Sequence, residues 1–231
     1  MSPSRKSNHP LVTAIRTEFA AHGNPVRAKG AQAYMKSEMP YHGLDSKTMR
    51  TLQRACIKQH PVGSANELNA VVLDLWDNAR FREERYAAQE ILYKYSKFID
   101  TSDLPLVRHM IITGSWWDYV DYIAKWVVGG LLERYPKEMT RELKRWIEDD
   151  ELWIRRAAVL SQLAFKDKTD VELLFSFCDR CIEETTFWMR KAIGWALREY
   201  SKTDPAAVRK FIEAHRDRMS GLTYREGSKY V

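Results

Sequence analysis

Leu152-Trp153-Ile154-Arg155-Arg156-Ala157 and Phe187-Trp188-Met189-Arg190-Lys191-Ala192 fall over one another when the chain is slid along itself by 35 residues. A longer correspondence, three periods apart, sets Arg85-Tyr86-Ala87-Ala88, ending in Tyr93-Lys94-Tyr95, over Arg190-Lys191-Ala192-Ile193, ending in Arg198-Glu199-Tyr200. A helix-breaking interval and a second helix fit between successive copies. One helix pair per period predicts a solenoid, in which each unit buries its apolar face against its neighbours. The rest of the chain agrees with this. Apolar residues recur at spacings of three and four almost everywhere, and no alternating runs bounded by turn signals occur, so the fold class is all-α. Starts are marked at Asn24-Pro25, Asp45-Ser46, Asn66-Glu67, Asp103, Thr169-Asp170 and Asp204-Pro205, where a capping residue or a proline suits a first turn. Stops are marked at Gly23, Gly43, Gly63 and Tyr135-Pro136, giving about a dozen helices.

A stack of this kind, HEAT-like in its period, curves and offers a concave surface lined by the second helix of each pair. Tyr86, Asp121, Arg156 and Lys191 share one repeat position. If Asp121 faces the concavity, Arg156 and Lys191 face it too, which sets a carboxylate among cations in a basic groove. The alternative for this row is a solvated helix edge. The next register position holds Ala87, Ala157 and Ala192, interrupted by Tyr122, and fits the core.

Composition narrows the function classes. The 231 residues, 45% hydrophobic, suffice for a continuous core, and no break is long enough to be an interdomain linker. Residues 9–231 read as one domain behind a polar, basic tail at 1–8 that is expected to be disordered. Lys+Arg 37 against Asp+Glu 31 gives a formal charge of +6, which favours a polyanionic partner. No apolar run reaches the roughly 18 residues of a membrane span, and the first eight lack the apolar segment of a secretion signal, so a cytoplasmic protein without a membrane partner is expected. Three cysteines do not make a disulfide framework. Cys178-Asp179-Arg180-Cys181 could be a redox couple or half a zinc site, but no second pair exists and the flanking apolar residues read as helix, which favours structural thiols. The histidines show no ligand spacing and no glycine-rich phosphate loop occurs, so neither metal nor other cofactor is expected.

The chemistry concentrates in Ser115-Trp116-Trp117-Asp118-Tyr119-Val120-Asp121. Trp117 and Asp121, four apart, share a helix face. A carboxylate beside an aromatic wall suits a cation or a developing one, although core packing with a charge at a helix N-terminus also explains the pattern. Arg155, Arg156, Arg190, Lys191 and Arg198 are candidates for contacts along a duplex backbone, with Trp117 and Trp195 as aromatic faces. Asp118 and Asp121 alone do not make a two-metal nuclease. One ionised Asp can stabilise a sugar oxocarbenium and steer water to the anomeric carbon, and no general acid is needed when the leaving base is already cationic.

Ser115-Trp116-Trp117-Asp118-x-Val120-Asp121, Leu152-Trp153-Ile154-x-Arg156-Ala157-Ala158 and Lys191-Ala192-Ile193-Gly194-Trp195-x-Leu197-Arg198-Glu199-Tyr200, together with Ala33-Tyr34-Met35-Lys36, resemble the AlkD family of bacterial alkylpurine DNA glycosylases. The resemblance spans nearly the whole chain. It implies HEAT-like repeats, double-stranded DNA carrying 3- or 7-alkylpurines as substrate, a catalytic Asp121 flanked by Trp117 and Trp195, and DNA contacts by Arg156, Arg198 and Tyr34. It further implies a lesion left stacked in the duplex instead of extruded into a pocket. No lysine stands out as a Schiff-base former, so a monofunctional enzyme is expected; a monomer is expected as well. The alternative is a non-catalytic HEAT-like module that binds DNA structure or serves as a protein scaffold. The chain departs from the family in its short last helix, around Gly221-Leu222-Thr223-Tyr224-Arg225-Glu226.

Overall fold

The computed structural model describes residues 6–231, and every regular element among them is helical. Two compact units divide at Ile99 and Asp100. The first contains α1 (Pro10–Ala21), α2 (Pro25–Met35), α3 (Ser46–Gln59), α4 (Ala65–Asp77) and α5 (Arg82–Lys94). The second contains α6 (Leu104–Gly114), α7 (Trp117–Tyr122), a π-helical segment (Ile123–Val128), α8 (Gly129–Arg134), α9 (Pro136–Trp146), α10 (Leu152–Leu160), α11 (Val171–Arg180), α12 (Phe187–Tyr200), α13 (Pro205–Ala214) and α14 (Gly221–Gly227). No helix among the described residues is long and apolar enough to cross a membrane.

Helix starts follow the expected capping chemistry, since a side-chain oxygen satisfies amides that the first turn leaves without partners. Asn24, Asp45, Asp170 and Asp204 each accept from a backbone N–H two or three residues on. The start expected at Asn66 moves to Ser64: its hydroxyl accepts from the Glu67 N–H at 3.2 Å, while the Gly63 N–H donates to Glu67 Oε2 at 2.8 Å. The acid at the third helical position reaches back past the cap, and the helix begins earlier than an Asn-Glu pair suggests. Residues 1–5 of the expected tail lie outside the described residues. Within the remainder of that tail, the Ser7 N–H donates to Asp74 Oδ2 at 2.6 Å.

In the first unit α4 and α5 pack together with α1 around Leu11, Ile15, Leu75, Trp76 and Ile91, all fully buried. Charges in this core are matched: Arg16 donates to Asp74 Oδ1 at 3.1 Å and Glu84 Oε2 at 2.8 Å. In the second unit α10 packs against α7 and its π segment on one side and α12 on the other. The close approach on the first side depends on Gly129, where a Cβ would stand 2.7 Å from the Ser161 carbonyl oxygen. Ala87, Ala157 and Ala192 have no exposed surface, as befits the position where successive helices touch.

The 35-residue period is expressed in ion pairs as well as in sequence. Asp121–Arg156, Glu133–Lys168, Glu183–Arg218 and Lys191–Glu226 are pairs between residues 35 apart, each joining equivalent positions of adjacent repeats. Trp153 and Trp188, one period apart, lie with ring centroids 5.7 Å from each other.

Candidate functional site

The site is built where α6 gives way to α7. Ser115 takes a left-handed conformation, φ 39°, closing α6, and Trp116 is extended, so the chain turns sharply and α7 begins at Trp117. This turn sends the neighbouring indoles different ways. Trp116 joins Trp153 and Trp188 in a cluster with centroid separations of 6.4, 5.3 and 5.7 Å, while Trp117 starts the helix half-buried and outside that cluster. Asp121 follows one turn later, and the π segment begins two residues after it, a helix irregularity often retained where a side chain must be aimed.

Arg156, projecting from α10, clamps Asp121 through two parallel bonds: Nε donates to Oδ1 at 2.7 Å and Nη2 to Oδ2 at 2.9 Å. Its remaining Nη1 donates to the Trp188 carbonyl, and the guanidinium lies 6.0 Å from the Trp188 ring centroid. Side-chain exposure is 4% for Arg156 and 11% for Asp121. Burial pushes the Asp121 carboxyl above its ordinary value, and the nearby Asp118 acts in the same direction; the Arg156 hydrogen bonds and charge oppose both. The Arg156 guanidinium, which never deprotonates, favours the ionised form of Asp121 against that burial. The pair is a fixed dipole, and low-dielectric surroundings screen its local field less than water would.

The second half of the repeat row is also paired. Lys191 Nζ lies 2.9 Å from Glu226 Oε1, and Arg198 donates to Glu226 Oε2. The two cations hold the Glu226 carboxyl below its ordinary value, the Lys191 hydrogen bond contributing most. Glu226 comes from α14, the short last helix, which packs on α12. A Cβ on Gly194 would lie 2.5 Å from Glu226 Cβ and 3.2 Å from the Thr223 carbonyl oxygen, so glycine at 194 lets this helix approach. Trp195, beside it on α12, is half-buried. Sequence reasoning missed Glu226, although extending the register Tyr86, Asp121, Arg156, Lys191 by one more period lands on it.

The expected phosphate-facing cations are largely engaged within the protein. Arg155 pairs with Glu184 at 2.8 Å and donates to the carbonyls of Asp149 and Asp150, and Arg190 donates to the Glu184 carbonyl at 3.1 Å. Tyr34, in α2 of the first unit, is 78% exposed. The thiols of Cys178 and Cys181 are buried, which raises both; Cys181 is pushed up to about 12. Neither is a thiolate near neutral pH, the form that redox or zinc chemistry requires. No group of three or more His, Cys, Asp or Glu is placed to hold a metal ion among the described residues.

A family model for DNA alkylation repair enzymes matches residues 15–231. The chain belongs to that family. Among solved structures, a predicted DNA alkylation repair enzyme from Enterococcus faecalis is 27% identical, with a TM-score of 0.83 over 90% of this chain and 96% of that one. No curated protein matches the sequence significantly. Family membership supports a role in repair of alkylated DNA, and the helical-repeat fold is that of the structural relative.

Proposed function

We propose that the protein is a monofunctional glycosylase that hydrolyses the N-glycosidic bond of N3- and N7-alkylated purines in duplex DNA. The observation that carries this is the doubly clamped, 11% exposed Asp121 carboxylate one helical turn from Trp117. In such a substrate the purine already bears positive charge. The bond between C1′ and the ring nitrogen breaks with its electron pair leaving on the base, which departs neutral and needs no proton from the enzyme. Positive charge then develops on the sugar, and the Asp121 anion stabilises it without reorganising, since Arg156 fixes both oxygens. Water adds to C1′ and loses a proton, leaving an abasic site. Trp117 and Trp195, both half-buried, supply aromatic faces that fit the sugar and attract the same cationic character. None of these steps asks for a base pocket, in keeping with a lesion handled in the stack. Arg156 acts through Asp121, orienting it, rather than on a phosphate.

The competing reading is a non-catalytic DNA-binding module, favoured by the fact that a buried carboxylate–guanidinium pair can serve structure alone. Incubation of the protein with a duplex carrying one N7-methylguanine separates the two. Free base released by the wild type and not by Asp121→Asn supports the enzyme, whereas binding without release in the wild type supports the module.

A further inference from the structure

The three helices that carry the site begin at equivalent places. Their capping positions, Trp116, Glu151 and Thr186, follow one another at 35 residues, one repeat each. Glu151 accepts from the Trp153 N–H at 3.2 Å, but neither Trp116 nor Thr186 caps through its side chain, so α7 and α12 start without the bond that commonly fixes a first turn. Ring packing takes its place. Trp116, Trp153 and Trp188, one indole from the cap or first turn of each helix, meet at centroid separations of 5.3 to 6.4 Å, within the range in which aromatic rings attract. Trp116 Nε1 is buried and meets no acceptor, so this ring serves by its packing area and not by a hydrogen bond.

From this cluster the Asp121 carboxylate is reached through one side chain. Arg156 gives its Nε and Nη2 to Asp121 and its Nη1 to the Trp188 carbonyl, with the Trp188 ring 6.0 Å from the guanidinium. The two parallel bonds fix guanidinium and carboxylate to each other, yet the pair could still shift as a unit. The third bond, to the backbone of the next repeat, ties the pair to α12. The charged groups acting on Asp121 are Arg156 from α10 and Asp118 from its own helix, while α12 contributes the neutral carbonyl and ring of Trp188. Met189, next in sequence, is fully buried, so α12 keeps its own anchor in the core when the half-buried Trp188 is changed.

We propose that Trp188 is a positioning residue: held in place by Trp116 and Trp153, it fixes Arg156, and through Arg156 it fixes the Asp121 carboxylate. The inference rests on the reading of Asp121 as the group that stabilises a sugar cation, and adds to that reading a residue that acts only through Arg156. Trp188 also lies two helical turns before Trp195 on α12, whereas Trp116 immediately precedes Trp117. One cluster thus ties together the starts of the elements that bring both candidate aromatic faces and the carboxylate to the site. A preorganised anion stabilises charge because it need not move during the reaction, so a loosened clamp costs rate even where the carboxylate remains.

The test compares full-length wild type with Trp188→Leu, which keeps apolar cover over the pair but loses the ring contacts, with Trp116→Leu, which loosens the same turn without altering α12, and with Trp188→Phe, which keeps a ring. Two quantities are measured below the Tm of each protein: single-turnover release of N7-methylguanine at saturating protein over a pH series, and the titration of the Asp121 carboxyl carbon by NMR without DNA. A loosened guanidinium withdraws the hydrogen bonds and charge that favour the ionised form. Asp121 should therefore titrate at higher pH in both leucine variants, and the acid limb of base release should move up with it. Release on the plateau should fall about tenfold, short of the roughly 10²-fold expected on losing the carboxylate. Trp188→Phe should return both quantities close to wild type. A cluster that serves stability alone would lower Tm and leave the titration in place, so an Asp121 titration unmoved, or moved to lower pH, in both leucine variants overturns the positioning role even if the wild type releases base. A titration raised in both, beside a wild type that releases no base, would retain that role and sink the glycosylase reading.

Discussion

Asp121→Asn is the substitution on which catalysis and stability make separate demands. The side chains of Asp121 and Arg156 are 11% and 4% exposed, and two hydrogen bonds of 2.7 and 2.9 Å join them. Removing one member of a buried pair leaves the other charge uncompensated, at a cost of about 3–5 kcal/mol. Asn still offers one acceptor to the guanidinium, so the lower end, about 3 kcal/mol, is expected, which for a chain of this length is a fall in Tm on the order of 10 °C. Against a total stability of about 5–15 kcal/mol the variant remains folded at moderate temperature. Arg156→Met should be comparably destabilising, since it strands the carboxylate. The double variant should lose far less than the two singles together, with a coupling energy of about 2 kcal/mol or more. Excision behaves differently: loss of the anion should reduce single-turnover base release by about 10²-fold or more in both Asp121→Asn and the double variant, when measured below the Tm of each. Denaturant melts and base-release assays on the four proteins give both quantities. Base release within about threefold of wild type in folded Asp121→Asn would refute the role given to this carboxylate, and additive stability losses would refute the clamp.

Trp117→Ala and Trp195→Ala should reduce excision more than they reduce Tm, because both rings are half-buried; a loss of about 3–5 kcal/mol in a denaturant melt would instead mark a core ring. Gly194→Ala places a methyl 2.5 Å from Glu226 Cβ and should destabilise by about 1–3 kcal/mol despite alanine's better helix propensity; a rise in Tm would show that α14 does not pack as described. Glu226 has its carboxyl held below the ordinary value of 4.5, chiefly by the Lys191 hydrogen bond, so its contribution to stability is present above that value and is lost as pH falls through the lowered one. Glu226→Gln should therefore lower Tm at neutral pH and flatten its acid limb, which a series of melts from neutral to acidic pH measures.

What the sequence made legible is whatever depends on period and local chemistry. The 35-residue spacing anticipates Trp153 over Trp188 and Asp121 beside Arg156, because equivalent positions in adjacent repeats must be neighbours. Caps at Asn24, Asp45, Asp170 and Asp204 are legible because a short polar side chain satisfies the first turn from its own sequence position. Sign and burial were not legible. A cation at a register position reads equally as a phosphate ligand or as half of an ion pair, and only the partner's reach decides. Arg156 meets Asp121 across one repeat; Lys191 meets Glu226, from a helix whose brevity in sequence disguises its packing on α12.

On the proposed reading, the pairing along this row separates the chemistry from the charge surplus. A carboxylate that must stabilise a sugar cation close to a phosphate backbone is repelled by that backbone. Matching Asp121 with a single buried Arg156 leaves the pair neutral, so it neither attracts nor strongly repels DNA at long range, while the oxygens keep their local field. Lys191 and Arg198 on Glu226 leave one net positive charge at the far end of the row. The second unit can then total zero, and the surplus of the first unit can supply the salt-dependent attraction. On this division, substitutions of Arg156 alter stability and rate while leaving the salt slope intact. A slope flattened by about 0.9 in Arg156→Met would refute this and give Arg156 a phosphate contact of its own.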